Sequence, residues 1–208
     1  MAANYDNSAW FYDSLSKLVY GKALINAQIY LLQYIPANSS VLIIGGGTGW
    51  ILEEIARIHS SGLQITYVEV SAKMITLSQK RDVGNNKVSF INDAIENVAS
   101  LNAFDVIITP FLFDNFTPQT QQKVFEHLNG LLKPGGIWLN TDFQLTGRWW
   151  QVALLKSMLL FFKVVCRIES DKINDVEPYF SQNHYEEFAG KTFFGEFVIS
   201  KAYRKSEP

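Results

Sequence analysis

The chain has 208 residues, a formal net charge of −2, a hydrophobic share of 48% and one cysteine. That length suits a single globular domain with ample core material, and near-neutral charge without a long basic run argues against a nucleic-acid partner. Cys166 alone excludes an internal disulfide and a multi-thiolate metal site. A reducing, cytoplasmic setting is therefore expected, in keeping with a start, "MAANYDNSAWFYDSL", that lacks a cationic stretch followed by an apolar run.

Residues 1–40 read as an N-terminal helical cap, in which Leu24, Ile25, Ile29, Leu31 and Leu32 supply apolar surface before Pro36 and the turn-like Asn38-Ser39-Ser40. From Val41 onward strand and helix patterns alternate. Val41–Ile44, Gln64–Glu69, Lys87–Ile91, Asp105–Thr109 and Ile137–Asp142 read as strands, while Ile51, Leu52, Ile55 and Ile58 fall on one helical face. Thr117 is placed to cap a helix with Pro118 at its first position, and Lys133-Pro134-Gly135-Gly136 stops it.

Residues 146–185 form an insertion. Its core, "WWQVALLKSMLLFFKVVC" (149–166), approaches bilayer length, but Gln151, Lys156 and Lys163 interrupt it, which predicts a lid helix rather than a span. At helical spacing Arg148, Lys156, Lys163 and Arg167 share about a third of the circumference and leave a broad apolar face. Three readings of that face stay open: the wall of a buried pocket, a homodimer contact, or a peripheral membrane or lipid contact through 148–167. Residues 186–205, with Gly195 at the turn, read as an antiparallel hairpin. One domain over 1–208 is expected, with its core at 41–145. The expected fold is α/β, a doubly wound, mostly parallel, seven-stranded, Rossmann-like sheet with a C-terminal antiparallel hairpin and a helical lid.

The most informative stretch is "VLIIGGGTGW" (41–50), an apolar strand running into a glycine-rich loop. In doubly wound folds such a loop lies where ligands bind, outside the carboxyl ends of the strands. The dinucleotide pattern G-x-G-x-x-G would need glycine where Trp50 stands, so an NAD-dependent oxidoreductase is disfavoured. The spacing present is G-x-G-x-G. Glu69 ends the second strand, where a carboxylate can accept from both hydroxyls of a ribose. Asp93 ends the third, where it can accept from an adenine amino group, with Ala94 and Ile95 beside it.

The series "VLIIGGGTG", "YVEVSAKMI", "FINDAIENV", "FDVIIT" and "LLKPGGIWLNTDF" resembles the class I S-adenosylmethionine-dependent methyltransferases of small-molecule type, over residues 1–145 and more loosely the final hairpin. The resemblance implies a cofactor site for S-adenosylmethionine, with S-adenosylhomocysteine as product. Gly45, Gly46, Gly47, Thr48 and Gly49 would approach its methionine part, Glu69 and Val70 its ribose, and Asp93, Ala94 and Ile95 its adenine. Met74 would pack on the ring, and Thr109 would close the site from the fourth strand. The chain departs from the family at Ile43, where an acid that helps organise the cofactor's amino end is usual. Two alternatives remain beside methyl transfer. One is an inactive protein that binds the same nucleosides. The other is an aminopropyltransferase, disfavoured because "ITPFLFDNF" carries one carboxylate, Asp114, where that family carries several.

Methyl transfer needs in-line placement of a nucleophile, and a base only where the acceptor must lose a proton. No catalytic residue is assigned by the sequence; Thr109, Asp114, Asp142, His184 and the Tyr12-Asp13 pair are candidates. Tyr12, Tyr20, Phe111, Asp114 and Trp149 are expected to contact the acceptor, and the aromatics of the 146–185 insertion favour a small, apolar molecule. No metal is expected, since His59, His127 and His184 are far apart in the sequence.

Overall fold

The computed structural model describes residues 21–98, 103–166 and 175–207, with 158–166 given by backbone alone. Tyr12, Asp13, Tyr20 and Arg167 lie outside the described residues.

Strand β1 (Ser40–Ile44) is followed by helix α2 (Trp50–Ile58), and β2 (Ser61–Val68) by α3 (Ala72–Ser78). Then come β3 (Asn85–Ile91), β4 (Phe104–Pro110), α4 (Pro118–Leu131) and β5 (Leu132–Phe143). Helix α1 (Ala23–Leu32) precedes this series, and α5 (Trp149–Cys166), α6 (Glu177–Gln182), β6 (Tyr185–Phe193) and β7 (Val198–Lys205) complete it. The seven strands form one sheet in the order β3-β2-β1-β4-β5-β7-β6. The first five run parallel, and β7 inserts antiparallel between β5 and β6.

Alternation along each strand splits the core into two layers. Val41 and Ile43 of β1, Ile65 and Tyr67 of β2, Val106 and Ile108 of β4, and Ile137 and Leu139 of β5 face α1 and α2. Leu42, Ile44, Val68, Ile107 and Trp138 face the other way, toward α4 and α6. With both faces covered, the central strands are apolar throughout, which is why "VLII" shows no alternation.

Local signals explain the helix starts. The Ser71 hydroxyl accepts from the Met74 N–H at the head of α3, and Thr117 does the same for Thr120 at the head of α4, with Pro118 first in the helix. The predicted strands are in place, with shifted ends. β2 begins at Ser61 and stops at Val68, so Glu69 stands one residue beyond it. The Lys133–Gly136 stop is already strand, because Leu132 pairs with Phe104 before the register shifts. Residues 149–166 form one helix, and among the described residues no helix is long and apolar enough to cross a membrane.

Candidate functional site

Strand β1 lies between β2 and β4, and the segments that follow β1 and β4 pack on opposite faces of the sheet, so the ends of these two strands form the topological switch point where ligands of such folds bind. The glycine loop stands at that point. Gly45 continues the ladder, its N–H donating to the Val68 carbonyl at 2.9 Å. Gly45, Gly47 and Gly49 adopt φ values of 69°, 63° and 77°, which residues with a Cβ rarely hold, so the G-x-G-x-G spacing is a backbone requirement. A Cβ at Gly47 would stand 3.6 Å from the Met74 sulfur, and one at Gly49 only 2.4 Å from Cβ of Ser78. The last approach seats the start of α2 directly on α3.

Glu69 is buried, and its carboxylate ties the loop to the top of β2. Oε2 accepts from the Gly47 N–H at 3.1 Å and Oε1 from the Ser71 N–H at 2.9 Å. Asn92 braces the same corner from the residue after β3, donating to the carbonyls of Glu69 and Val70 at 2.9 and 3.0 Å. Arg81 holds the far side of the loop through Nε to the Thr48 carbonyl at 2.9 Å, and it reaches Glu53 at 3.4 Å. Neither Asn92 nor Arg81 carries a motif signal, and neither figured among the predicted residues. Each does its work through a main-chain carbonyl that only the folded chain brings near.

The predicted adenine edge takes a particular form. Oδ1 of the exposed Asp93 accepts from the Ala94 N–H at 2.7 Å and from the Asn97 side chain at 2.8 Å, at either end of the 3-10 turn Ile95–Asn97. Ile95 is buried in the α4 layer, Met74 is buried against the loop, and Val70 is exposed. Thr109 is drawn inward. Its hydroxyl donates to Asn140 Oδ1 at 2.8 Å and accepts from the Trp138 indole at 2.9 Å, a closed buried triad within the sheet.

A second cluster stands where β4 and β5 end. Phe111 follows β4 with φ of 52° and donates its N–H to the Thr141 carbonyl at 2.7 Å. The chain then turns through the 3-10 segment Phe113–Asn115, which buries Asp114, while Asp142 lies buried near the end of β5. Asn115 donates to one Asp114 oxygen at 3.0 Å, and the Phe143 N–H donates to Asp142 at 2.9 Å. Burial pushes the Asp142 carboxyl up to about 7 against the pull of the Phe143 and Phe113 N–H groups. Asp114 is raised well above the usual carboxylate range, by burial first and by the charge of Asp142 second.

An aromatic wall adjoins these acids. The Phe111 and Phe143 rings lie 4.8 Å apart, Phe143 and Phe197 5.1 Å, and Trp150 of α5 meets Phe197 at 5.9 Å. Trp149 is not part of it, being 81% exposed at the head of α5. His184 is exposed at the opposite end of the sheet, in the turn before β6. Among the described residues no group of three or more metal-ligating side chains occurs.

The residues present thus offer a glycine cradle joined to a buried acid at one strand end, and a pair of buried acids beside an aromatic cluster at the ends of β4 and β5. Residues 41–136 match the methyltransferase domain family. The chain is 29% identical over 113 residues to phosphoethanolamine N-methyltransferase of Plasmodium falciparum, a match covering 52% of this chain and 41% of that one. It is 32% identical over 132 residues to spermine synthase of Saccharomyces cerevisiae, covering 50% and 42%. The chain therefore spans about two fifths of the length of these curated relatives. In fold it is similar to the N-methyltransferase NodS from Bradyrhizobium japonicum, solved with S-adenosylhomocysteine, at a TM-score of 0.63 and 14% identity over 88% of this chain and 84% of that one.

Proposed function

We propose that the chain, whose residues 41–136 match the methyltransferase domain family, transfers a methyl group from S-adenosylmethionine to a small acceptor with an apolar body and an ionisable nucleophile. The observation that carries this reading is the joining of Gly47 to Glu69, which makes the glycine cradle and the candidate ribose acid one rigid unit at the switch point. Gly45 to Gly49 would hold the amino-acid end of the cofactor, Glu69 its ribose hydroxyls, and Asp93 to Ile95 the adenine edge.

The bound cofactor would supply an electrophilic methyl on a sulfonium. The protein's share is placement and proton handling. The wall of Phe111, Phe143 and Trp150 would exclude water and seat the apolar body of the acceptor. Asp114 and Asp142 are buried where β4 and β5 end, and either, once ionised, would take the proton that an amine or hydroxyl acceptor must give up on methylation. A pKa near 7 suits that exchange at neutral pH. The likeness to spermine synthase, 32% identity in a match covering 50% of this chain, carries one second reading, aminopropyl transfer, against which stands the single carboxylate, Asp114, in "ITPFLFDNF".

Calorimetric titration of the purified protein with S-adenosylmethionine and S-adenosylhomocysteine, with decarboxylated S-adenosylmethionine and NADH alongside, tests this. Methyl transfer predicts tight binding of the first two. Preference for the decarboxylated nucleoside points to aminopropyl transfer, and absence of binding to any sulfur nucleoside overturns both. Release of labelled methyl onto amines, phenols and acids of graded lipophilicity then identifies the acceptor class.

A further inference from the structure

Resting on the methyl-transfer reading, we propose that Tyr67 is a positioning residue of the cofactor loop, which clamps Gly47 from below while Glu69 clamps it from the side. Tyr67 sits on β2 in direct register with Ile43 of β1, and the two side chains share the α1–α2 face of the sheet. Ile43 is fully buried and apolar, so nothing polar reaches the loop from β1 itself. Tyr67 does so from the neighbouring strand. Its ring is fully buried, and its hydroxyl donates to the Gly47 carbonyl at 2.9 Å.

Two residues further on, the strand period turns Glu69 toward the same loop, where its carboxylate takes the Gly47 N–H. Both main-chain groups of Gly47 are thus held by a pair of side chains from one strand end. In a trans peptide the carbonyl and the following N–H point in opposite directions. Drawing the Gly47 carbonyl inward therefore also sets the direction of the Thr48 N–H, at the turn where an anionic or polar ligand would lie.

Gly46 supplies an independent observation. Unlike Gly45, Gly47 and Gly49, it has no positive φ, so its backbone does not demand glycine. Its space does. A Cβ at residue 46 would lie 2.5 Å from the Tyr67 hydroxyl oxygen and 2.6 and 2.7 Å from two ring carbons. Phe90, tilted against the ring at 5.5 Å between centroids, backs it from the β3 side. The middle glycine of "GGG" is there for a tyrosine.

The test compares wild type with Tyr67→Phe, which keeps the ring and removes the hydroxyl. Hydrogen exchange of a peptide covering residues 45–49 is followed in ligand-free protein, and S-adenosylhomocysteine affinity is measured well below the unfolding temperature of both. Faster loop exchange with about tenfold weaker binding, and cooperative unfolding retained, is the expected result. Unchanged exchange together with unchanged affinity overturns the proposal while leaving methyl transfer intact. If wild type itself binds no sulfur nucleoside, the cofactor reading falls, and the proposal with it. Should Tyr67→Phe fail to fold, Gly46→Ala decides instead. That change displaces the hydroxyl without deleting it, and it must give the same faster exchange and weaker binding, or the proposal fails.

Discussion

Asp114 and Asp142 leave different strand ends and bury their carboxyls in one interior space, where the charge of Asp142 makes Asp114 harder to ionise. Two buried acids that resist ionisation leave a signature in both stability and activity. A raised carboxyl pKa means that the folded state holds protons which the unfolded chain has released. Stability from this source is fully present below the ordinary carboxyl value of 3.8 and is lost as pH rises toward about 7. The thermal midpoint should therefore fall between those limits. In Asp142→Asn that fall should flatten, and the variant should be the more stable protein at pH 8, as thermal melts across pH would show. If Asp142 is the base of the proposed reaction, the rate should rise with pH around 7 in wild type and lose that limb in the variant.

Glu69 gives a prediction on the cofactor side. Glu69→Gln keeps the size of the side chain but removes the charge that accepts from Gly47 and Ser71. Charged hydrogen bonds contribute about 1.5–3 kcal/mol each, so binding of S-adenosylhomocysteine should weaken roughly a hundredfold. Calorimetry on the folded variant checks this. Retained affinity would show that the nucleoside does not use this corner of the site.

The sequence was legible wherever one physical constraint acted on a short stretch. The loop at 45–49 shows in its glycines because three positive φ values must be met within five residues, and the strands show because two-sided burial demands unbroken apolar runs. Thr109 shows the limit. A threonine at a strand's carboxyl end reads as a site residue, yet its orientation depends on Trp138 and Asn140, far along the chain on the next strand. The same holds for Asp142, whose carboxyl is raised by burial against the pull of the Phe143 and Phe113 N–H groups, a balance set only in the folded chain. Trp149 differs in another way: the aromatic run it opens turns its next ring, Trp150, inward, and leaves the first in water, which the sequence alone does not distinguish.

The Thr109 triad is itself testable. Thr109→Val is nearly isosteric but removes both the donor to Asn140 and the acceptor for the Trp138 indole, inside a region with no solvent access. Leaving buried polar groups without partners costs about 1–3 kcal/mol apiece. Denaturant unfolding should show a loss of that order at unchanged cofactor affinity. A loss of affinity without loss of stability would show that the nucleoside depends on Thr109 directly.

Glycines that look alike in the sequence should diverge under one substitution. Gly49 heads α2 with φ of 77°, and an added Cβ would meet Ser78 at 2.4 Å to its Cβ and 2.7 Å to its Cα. Trimming the Ser78 side chain would not relieve the second contact, because it is to backbone. Gly49→Ala should therefore cost about 3 kcal/mol or more through combined strain and overpacking. Gly130 sits exposed in α4 on an ordinary helical backbone, and an added methyl there would meet nothing within 4 Å. Gly130→Ala should stabilise the protein by about 0.5–1 kcal/mol by restricting the unfolded chain and favouring helix. Paired denaturant melts of the two variants measure both effects, and equal shifts would show that α2 does not pack on α3 through Gly49 as described.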